Sequence, residues 1–124
     1  ISLDKNISFI WRNKDKETPI NTLIRLRNFC KKNQRSFYIS NNVKLAEKIN
    51  ADGVYISSTN RNLNLRTNKF KKKFKILGSA HNLIEVNRKI EQGCEIIFLA
   101  PFLLMLNNSI KLSSPILDLF FITI

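Results

Sequence analysis

Short apolar runs alternate with amphipathic stretches along this chain, most clearly between residues 37 and 60. The run at residues 37–39 predicts a buried strand, and the polar residues after it can cap a helix by accepting hydrogen bonds from its first free N–H groups. A break at residues 50–53 and a second run at residues 54–56 predict another buried strand. Between the two strands, an apolar stripe at helical spacing is formed by Val43, Leu45, Ala46 and Ile49.

The same alternation extends to both sides of this unit. Strands are predicted at residues 7–11, 74–77 and 96–99. Thr18 suits the N-cap of a first helix with Pro19 at its first position, and Asn82 with Glu85 indicates a capping-box start for a later helix that Gly93 ends. The helix residues expected to face the core are Ile20, Leu23, Ile24 and Phe29 in the first helix, and Leu83, Val86 and Ile90 in the later one.

Strands that start near residues 7, 36, 53, 74 and 95 with helical connections predict an α/β fold with a parallel sheet. Both a doubly wound sheet and part of a (β/α)8 TIM barrel fit this rhythm. A complete barrel needs about 200 residues or more, so this chain is expected to supply about five to six βα units in a single domain, residues 1–124. Residues 103–124 lose the rhythm; they could be a strand or two with a loop, or a non-native end. The chain starts with Ile1, so we expect it to be a fragment or a trimmed chain.

The net charge of +12 and pI near 10.1 indicate an anionic partner, such as nucleic acid, a membrane surface or a phosphorylated small molecule, or simply a lysine-rich solvated surface. The densest basic run lies at residues 69–75, where only Phe70 and Phe74 are aromatic. We therefore interpret it as a solvated face rather than a nucleic-acid patch. No secretory segment or stretch long enough to span a membrane is found, and Cys30 and Cys94 lack metal-ligand spacing. A cytoplasmic protein with free thiols is expected.

Five pieces of the chain, in order, resemble the thiamine phosphate synthase / TenI family of (β/α)8 barrels. These are WRNKD at residues 11–15, YISNNVKLA at 38–46, NADGVYISSTN at 50–60, ILGSAHNLIE at 76–85 and GCEIIFLAPF at 93–102. The resemblance covers about residues 7–102. It implies a barrel that lacks its first strand and its last two.

The resemblance also implies a reaction in thiamine biosynthesis. An aminopyrimidine methyl diphosphate loses pyrophosphate, and the nitrogen of a thiazole phosphate attacks the resulting carbon. Basic side chains and Mg²⁺ stabilise the departing pyrophosphate. The positions that match the family's binding residues, and are therefore expected to bind substrate or phosphate, are Arg12, Lys14, Ser40, Asn41, Asn60, Ser79 and His81.

Two departures from the family pattern concern the metal. The positions of its two metal-binding Asp residues fall on Asn41 and Asn60, and neutral amides hold Mg²⁺ more weakly than carboxylates. We therefore expect Mg²⁺ only if the chain is a competent synthase, and no metal site otherwise. His81, the only histidine, lacks a paired acid or nucleophile in the sequence and is a weak catalytic candidate.

Three functions remain open from the sequence. The first is a synthase-like protein, either competent or degenerate, that acts on phosphorylated thiazole and pyrimidine compounds. The second is a TenI-like protein that binds or isomerises thiazole phosphate without synthase activity. The third, which the lack of a recognised motif disfavours, is a small basic nucleic-acid-binding protein.

Overall fold

Strands and helices alternate along the chain as far as residue 99, and one more strand follows near its end. The computed structural model describes residues 7–12, 18–65, 73–99 and 120–123. The strands are β1 (Ile7–Trp11), β2 (Phe37–Ser40), β3 (Gly53–Ile56), β4 (Lys75–Ala80), β5 (Ile96–Leu99) and β6 (Phe120–Thr123). The helices are α1 (Ile20–Lys32), α2 (Val43–Lys48) and α3 (Leu83–Glu91).

The six strands in the described part of the chain are parallel and form a single sheet in the order β5-β4-β3-β2-β1-β6. Strands β1 to β5 follow one another in space as they do in the chain, which is the strand order of a (β/α)8 barrel rather than of a doubly wound sheet. The predicted α/β fold and partial barrel are thus confirmed as a half-barrel. Strand β6 pairs with the outer edge of β1.

The two faces of the sheet carry separate apolar clusters, because side chains alternate along each strand. The face toward the helices is the larger core and includes Phe37, Ile39, Val54, Ile56 and Ile76 from the strands, with Leu23 and Ala46 from α1 and α2. The opposite face, which would line a barrel interior, holds Ile10, Tyr38 and Leu77, with Tyr55, Ile96 and Phe98 packed against them.

Some predicted boundaries and helix faces were wrong. Helix α1 begins at Ile20 with Pro19 as N-cap, one residue later than predicted. Strand β4 continues through residues 78–80, because β5 pairs with all three of these residues and β3 pairs with Gly78. Phe29, Leu83 and Ile90, expected to be buried, are 56%, 56% and 54% exposed.

None of the helices in the described part of the chain is long and apolar enough to cross a membrane. Of the basic run at residues 69–75, only Lys73, Phe74 and Lys75 are described, and both of these lysines are exposed. The uncertain tail from residue 103 onward is described only at residues 120–123.

Candidate functional site

Polar residues that follow β2 and β3 meet at the carboxyl edge, the edge of the sheet where the parallel strands end. Parallel pairing places Ser40 opposite Tyr55. The next residue, Asn41, has a left-handed backbone with φ of 60°, which asparagine adopts more readily than most residues. Its N–H donates to the Tyr55 carbonyl over 2.7 Å. This bond fixes the turn after β2 beside the end of β3.

Asn41, Ser57 and Asn60 form a hydrogen-bonded group that we name the amide cluster. Asn41 Oδ1 accepts from Ser57 N–H at 2.9 Å and from Asn60 Nδ2 at 3.1 Å. Asn41 Nδ2 donates to Ser57 Oγ over 3.1 Å. The sequence placed Asn41 and Asn60 at the ends of neighbouring strands, and the structure joins their side chains directly.

Backbone donors fix the orientation of both amides. Ser57 N–H requires an acceptor, so the oxygen of Asn41 must face it. Asn62 N–H likewise donates to Asn60 Oδ1 over 3.0 Å, which directs Asn60 Nδ2 toward Asn41. A flip of either amide would set a donor against a donor.

The amide cluster does not fit Mg²⁺, the ion that the resemblance implies. Mg²⁺ binds oxygen ligands in octahedral geometry and prefers carboxylates. Here Asn41 Oδ1 already accepts two hydrogen bonds, and Asn60 Oδ1 accepts one. The described residues contain no group of three or more His, Cys, Asp and Glu side chains that could hold a metal. The side chains that are present therefore favour a site without a divalent cation.

His81 lies at the same edge, just after β4, and directly precedes Asn82, the N-cap of α3. The Glu85 carboxylate accepts from His81 N–H at 2.6 Å and lies 3.1 Å from His81 Nδ1. These contacts, the backbone hydrogen bond first, lower the pKa of Glu85. The expectation that His81 lacks a paired acid was therefore wrong, because the first turn of α3 brings Glu85 beside the ring. Asn82 Oδ1 accepts from Glu85 N–H over 2.9 Å, as the predicted capping start requires. His81 is 56% exposed, so its ring can also face a ligand.

The other predicted site residues occupy strand ends along the same edge. Arg12 follows β1 and is exposed. Ser79, near the end of β4, pairs with Phe98 and is half-buried on the face that also carries Leu77. Ser40 lies on that face too, beside Tyr55. Lys14 is outside the described residues.

Two residues that support this edge were missed from the sequence. Lys89 and Gln92 are buried behind the loop after β3 and contact the backbone of Asn60. The signal for Lys89 was indirect. It lies three residues after the buried Val86, so it shares the buried face of α3, but a lysine in that stripe is ordinarily interpreted as exposed.

Comparison with known proteins identifies relatives of the chain. The family model described as "Thiamine monophosphate synthase" matches residues 5–104. A thiamine-phosphate synthase from Pelagibacter ubique is 31% identical over 112 residues, which cover 86% of this chain and 53% of that protein. A thiamine-phosphate synthase from Flavobacterium johnsoniae is 28% identical over 121 residues, covering 95% and 56%.

A solved structure supports the fold. A thiamine phosphate pyrophosphorylase from Pyrococcus furiosus superposes with a TM-score of 0.56 at 15% identity, over 76% of this chain and 46% of that one. The chain spans about half the length of the curated relatives that it matches.

Proposed function

Because the chain belongs to the thiamine monophosphate synthase family, we propose that it acts in thiamine biosynthesis and binds phosphorylated thiazole and pyrimidine compounds at its carboxyl edge. The observation that carries this proposal is the amide cluster. It occupies the ends of β2 and β3, where the family pattern has its metal-binding carboxylates. Ligands of parallel α/β folds bind at this edge of the sheet.

Each proposed role follows from the chemistry of the side chain. Arg12 and Lys14 supply positive charge for the phosphate groups, and an Arg guanidinium can donate two parallel hydrogen bonds to one phosphate. Ser79 supplies a hydroxyl donor on the face of the sheet that also carries Ser40 and Leu77. Ser40, Asn41 and Asn60 supply neutral polar groups, which suit the ring nitrogens and amino group of a pyrimidine better than they suit a diphosphate.

The absence of carboxylates at positions 41 and 60 affects whether the chain can catalyse the synthase reaction. Departure of pyrophosphate builds negative charge on the leaving oxygen, and that charge must be stabilised. With an amide cluster that does not fit Mg²⁺, we assign the stabilisation to the basic side chains. We propose binding of the phosphorylated compounds as the primary activity, and turnover by the synthase reaction as the further possibility.

A TenI-like role is the second candidate function, and the neutral amide cluster favours it. Such a protein binds thiazole phosphate without having to stabilise a departing pyrophosphate, so it has less need of a divalent cation. The basic surface does not require a nucleic-acid partner, since phosphorylated small molecules account for the residues at the carboxyl edge.

Titration of thiazole phosphate and of pyrophosphate into the chain tests the binding role. Replacing Arg12 by Gln should raise the Kd for both by roughly 10- to 100-fold, because hydrogen bonds to charged groups contribute about 1.5–3 kcal/mol. The control is Lys32→Gln, which removes an exposed positive charge at the far end of α1 and should leave both Kd values unchanged. Absence of binding to either compound would contradict the proposal.

An assay with both substrates separates the two candidate functions. Formation of thiamine phosphate at high protein concentration would establish the synthase reaction. Binding of thiazole phosphate without product formation would leave the TenI-like role.

A further inference from the structure

Lys89 is a fully buried lysine whose position depends on a glycine. None of its surface is exposed, because it lies on the face of α3 that packs against the sheet. A Cβ at Gly78 in β4 would lie 2.8 Å from Lys89 Cδ and 2.7 Å from Cys94 Sγ. The aliphatic part of Lys89 therefore crosses β4 at Gly78, where the absence of a Cβ leaves space for it. The ammonium group then reaches the loop after β3.

Lys89 and Gln92 together hold that loop, and we name the pair the clamp. Lys89 Nζ donates to the Asn60 carbonyl at 2.9 Å and to Gln92 Oε1 at 2.7 Å. Gln92 Nε2 donates to the carbonyls of Asn60 and Asn62, both at 2.9 Å. Three hydrogen bonds from α3 and its C-cap residue thus end on two backbone carbonyls of one short loop.

The clamp and the amide cluster both form hydrogen bonds with Asn60, the first with its backbone and the second with its side chain. The clamp binds the backbone of Asn60, while the side chain of Asn60 donates to Asn41. We propose that Lys89 and Gln92 are positioning residues, which fix the loop after β3 so that the side chain of Asn60 can donate to that of Asn41. The effect of this positioning on ligand affinity rests on the proposed function, but the positioning of the loop by Lys89 and Gln92 does not.

Lys89 is poorly explained as a stabilising residue alone. Among the described residues, no carboxylate lies within 4.0 Å of its ammonium. Burial of the charge lowers the pKa of Lys89, which means that the folded environment disfavours the ammonium form. An apolar residue of similar length would avoid this desolvation cost. What an apolar residue cannot supply is the hydrogen bonds to the loop and to Gln92.

The variant Gln92→Glu separates positioning from stability. The new carboxylate keeps an acceptor for Lys89, but it sets oxygens against the carbonyls of Asn60 and Asn62 in place of a donor. The control is Asn87→Asp, the same exchange of amide for carboxylate at an exposed position of α3. As a second variant, Lys89→Met removes the buried charge and the ammonium donor, with Lys32→Met as its exposed control.

Amide hydrogen exchange measures the loop without any ligand. In Gln92→Glu and in Lys89→Met, exchange at Asn60 and Asn62 should accelerate about tenfold or more, since each lost hydrogen bond shifts local opening severalfold. Exchange in β4 and the urea unfolding midpoint should stay within the range of the two controls. If Gln92→Glu does not fold, Lys89→Met decides the question.

Unchanged exchange at Asn60 and Asn62 in folded variants would overturn the positioning role. Acceleration spread evenly over β4 and the loop would also overturn it, because that pattern indicates a merely structural contribution. Thiazole phosphate titration then tests the consequence, with an expected rise in Kd of about tenfold in Gln92→Glu and none in Asn87→Asp. If the unaltered chain does not bind thiazole phosphate, the proposed function fails while the exchange result still stands.

Discussion

The double substitution Asn41→Asp with Asn60→Asp probes the amide cluster most sharply. It replaces a hydrogen bond between two neutral amides by two carboxylates at the same positions. The bonded atoms, Asn41 Oδ1 and Asn60 Nδ2, are 3.1 Å apart. Two negative charges at that distance repel by about 1 kcal/mol in bulk water and by about 5 kcal/mol at the effective dielectric near a protein surface.

Loss of the amide hydrogen bond adds about 1 kcal/mol, so the variant should be less stable than the unaltered chain by about 2–6 kcal/mol at pH 7 without divalent cations. The repulsion also raises the pKa of one carboxyl of the pair. A raised pKa means that the penalty is relieved as the pH falls and that group takes up a proton. The deficit in unfolding free energy should therefore shrink between pH 7 and pH 4.

Mg²⁺ should reverse most of the loss. Oxygens about 3 Å apart match one edge of an octahedron with metal–oxygen bonds of about 2.1 Å. Binding to the folded state alone stabilises it by about 2.7 kcal/mol when Mg²⁺ is present at 100 times its Kd. The assay is urea unfolding with EDTA and with Mg²⁺, for the unaltered chain and for the variant.

The control is Asn42→Asp with Asn82→Asp. Both asparagines are N-caps whose side chains accept a backbone hydrogen bond, and aspartate fills that role equally well. This control carries the same added charge but should not respond to Mg²⁺ specifically. Stabilisation of the unaltered chain by Mg²⁺, or indifference of the Asp pair to it, would refute the reasoning.

Three further predictions concern the scaffold. Gly53→Ala should lower the free energy of unfolding in urea by at least about 3 kcal/mol, since its Cβ would lie 1.9 Å from the Lys75 carbonyl oxygen. The control, Gly93→Asn, changes a glycine at a left-handed helix end and should be tolerated. Equal urea midpoints for the two variants would contradict the close contact between residue 53 and Lys75. Burial raises the pKa of Cys30 and of Cys94 to about 11, so iodoacetamide should label both thiols slowly at pH 8 until urea is added. Fast labelling of the folded chain would contradict the raised pKa values. Because unfolded thiols ionise first, their contribution to stability should be complete below pH 9.0 and lost as the pH rises through about 11, and the Cys→Ser variants should lack this decline. The lowered pKa of Glu85 should give a stabilisation that is present above pH 4.5 and lost as the pH falls through the folded value, and Glu85→Gln should abolish this dependence in acid unfolding.

The sequence was sufficient for the parallel sheet and for the position of Asn41 and Asn60 after neighbouring strands, whereas the rhythm of the elements alone left a doubly wound sheet and a barrel open. Parallel strands linked by helices end at one edge, so residues that follow neighbouring strands must come close. The family resemblance then indicated which of those residues to propose as ligand-binding residues.

What could not be predicted depended on contacts distant in the chain. Of the predicted stripe on α3, Val86 is buried as expected, but Leu83 and Ile90 are exposed and Lys89 joins Val86 on the buried face. That choice depends on the space above Gly78, which no periodicity reveals. The role of Gln92 likewise requires the loop carbonyls that it contacts.

The affinity of the chain for thiazole phosphate, measured once in EDTA and once in Mg²⁺, tests the central claim most directly. Binding at the carboxyl edge through basic and neutral side chains predicts the same Kd in both buffers, with weaker binding in Arg12→Gln under each. Binding that appears only with Mg²⁺, or no binding in either buffer, would contradict it.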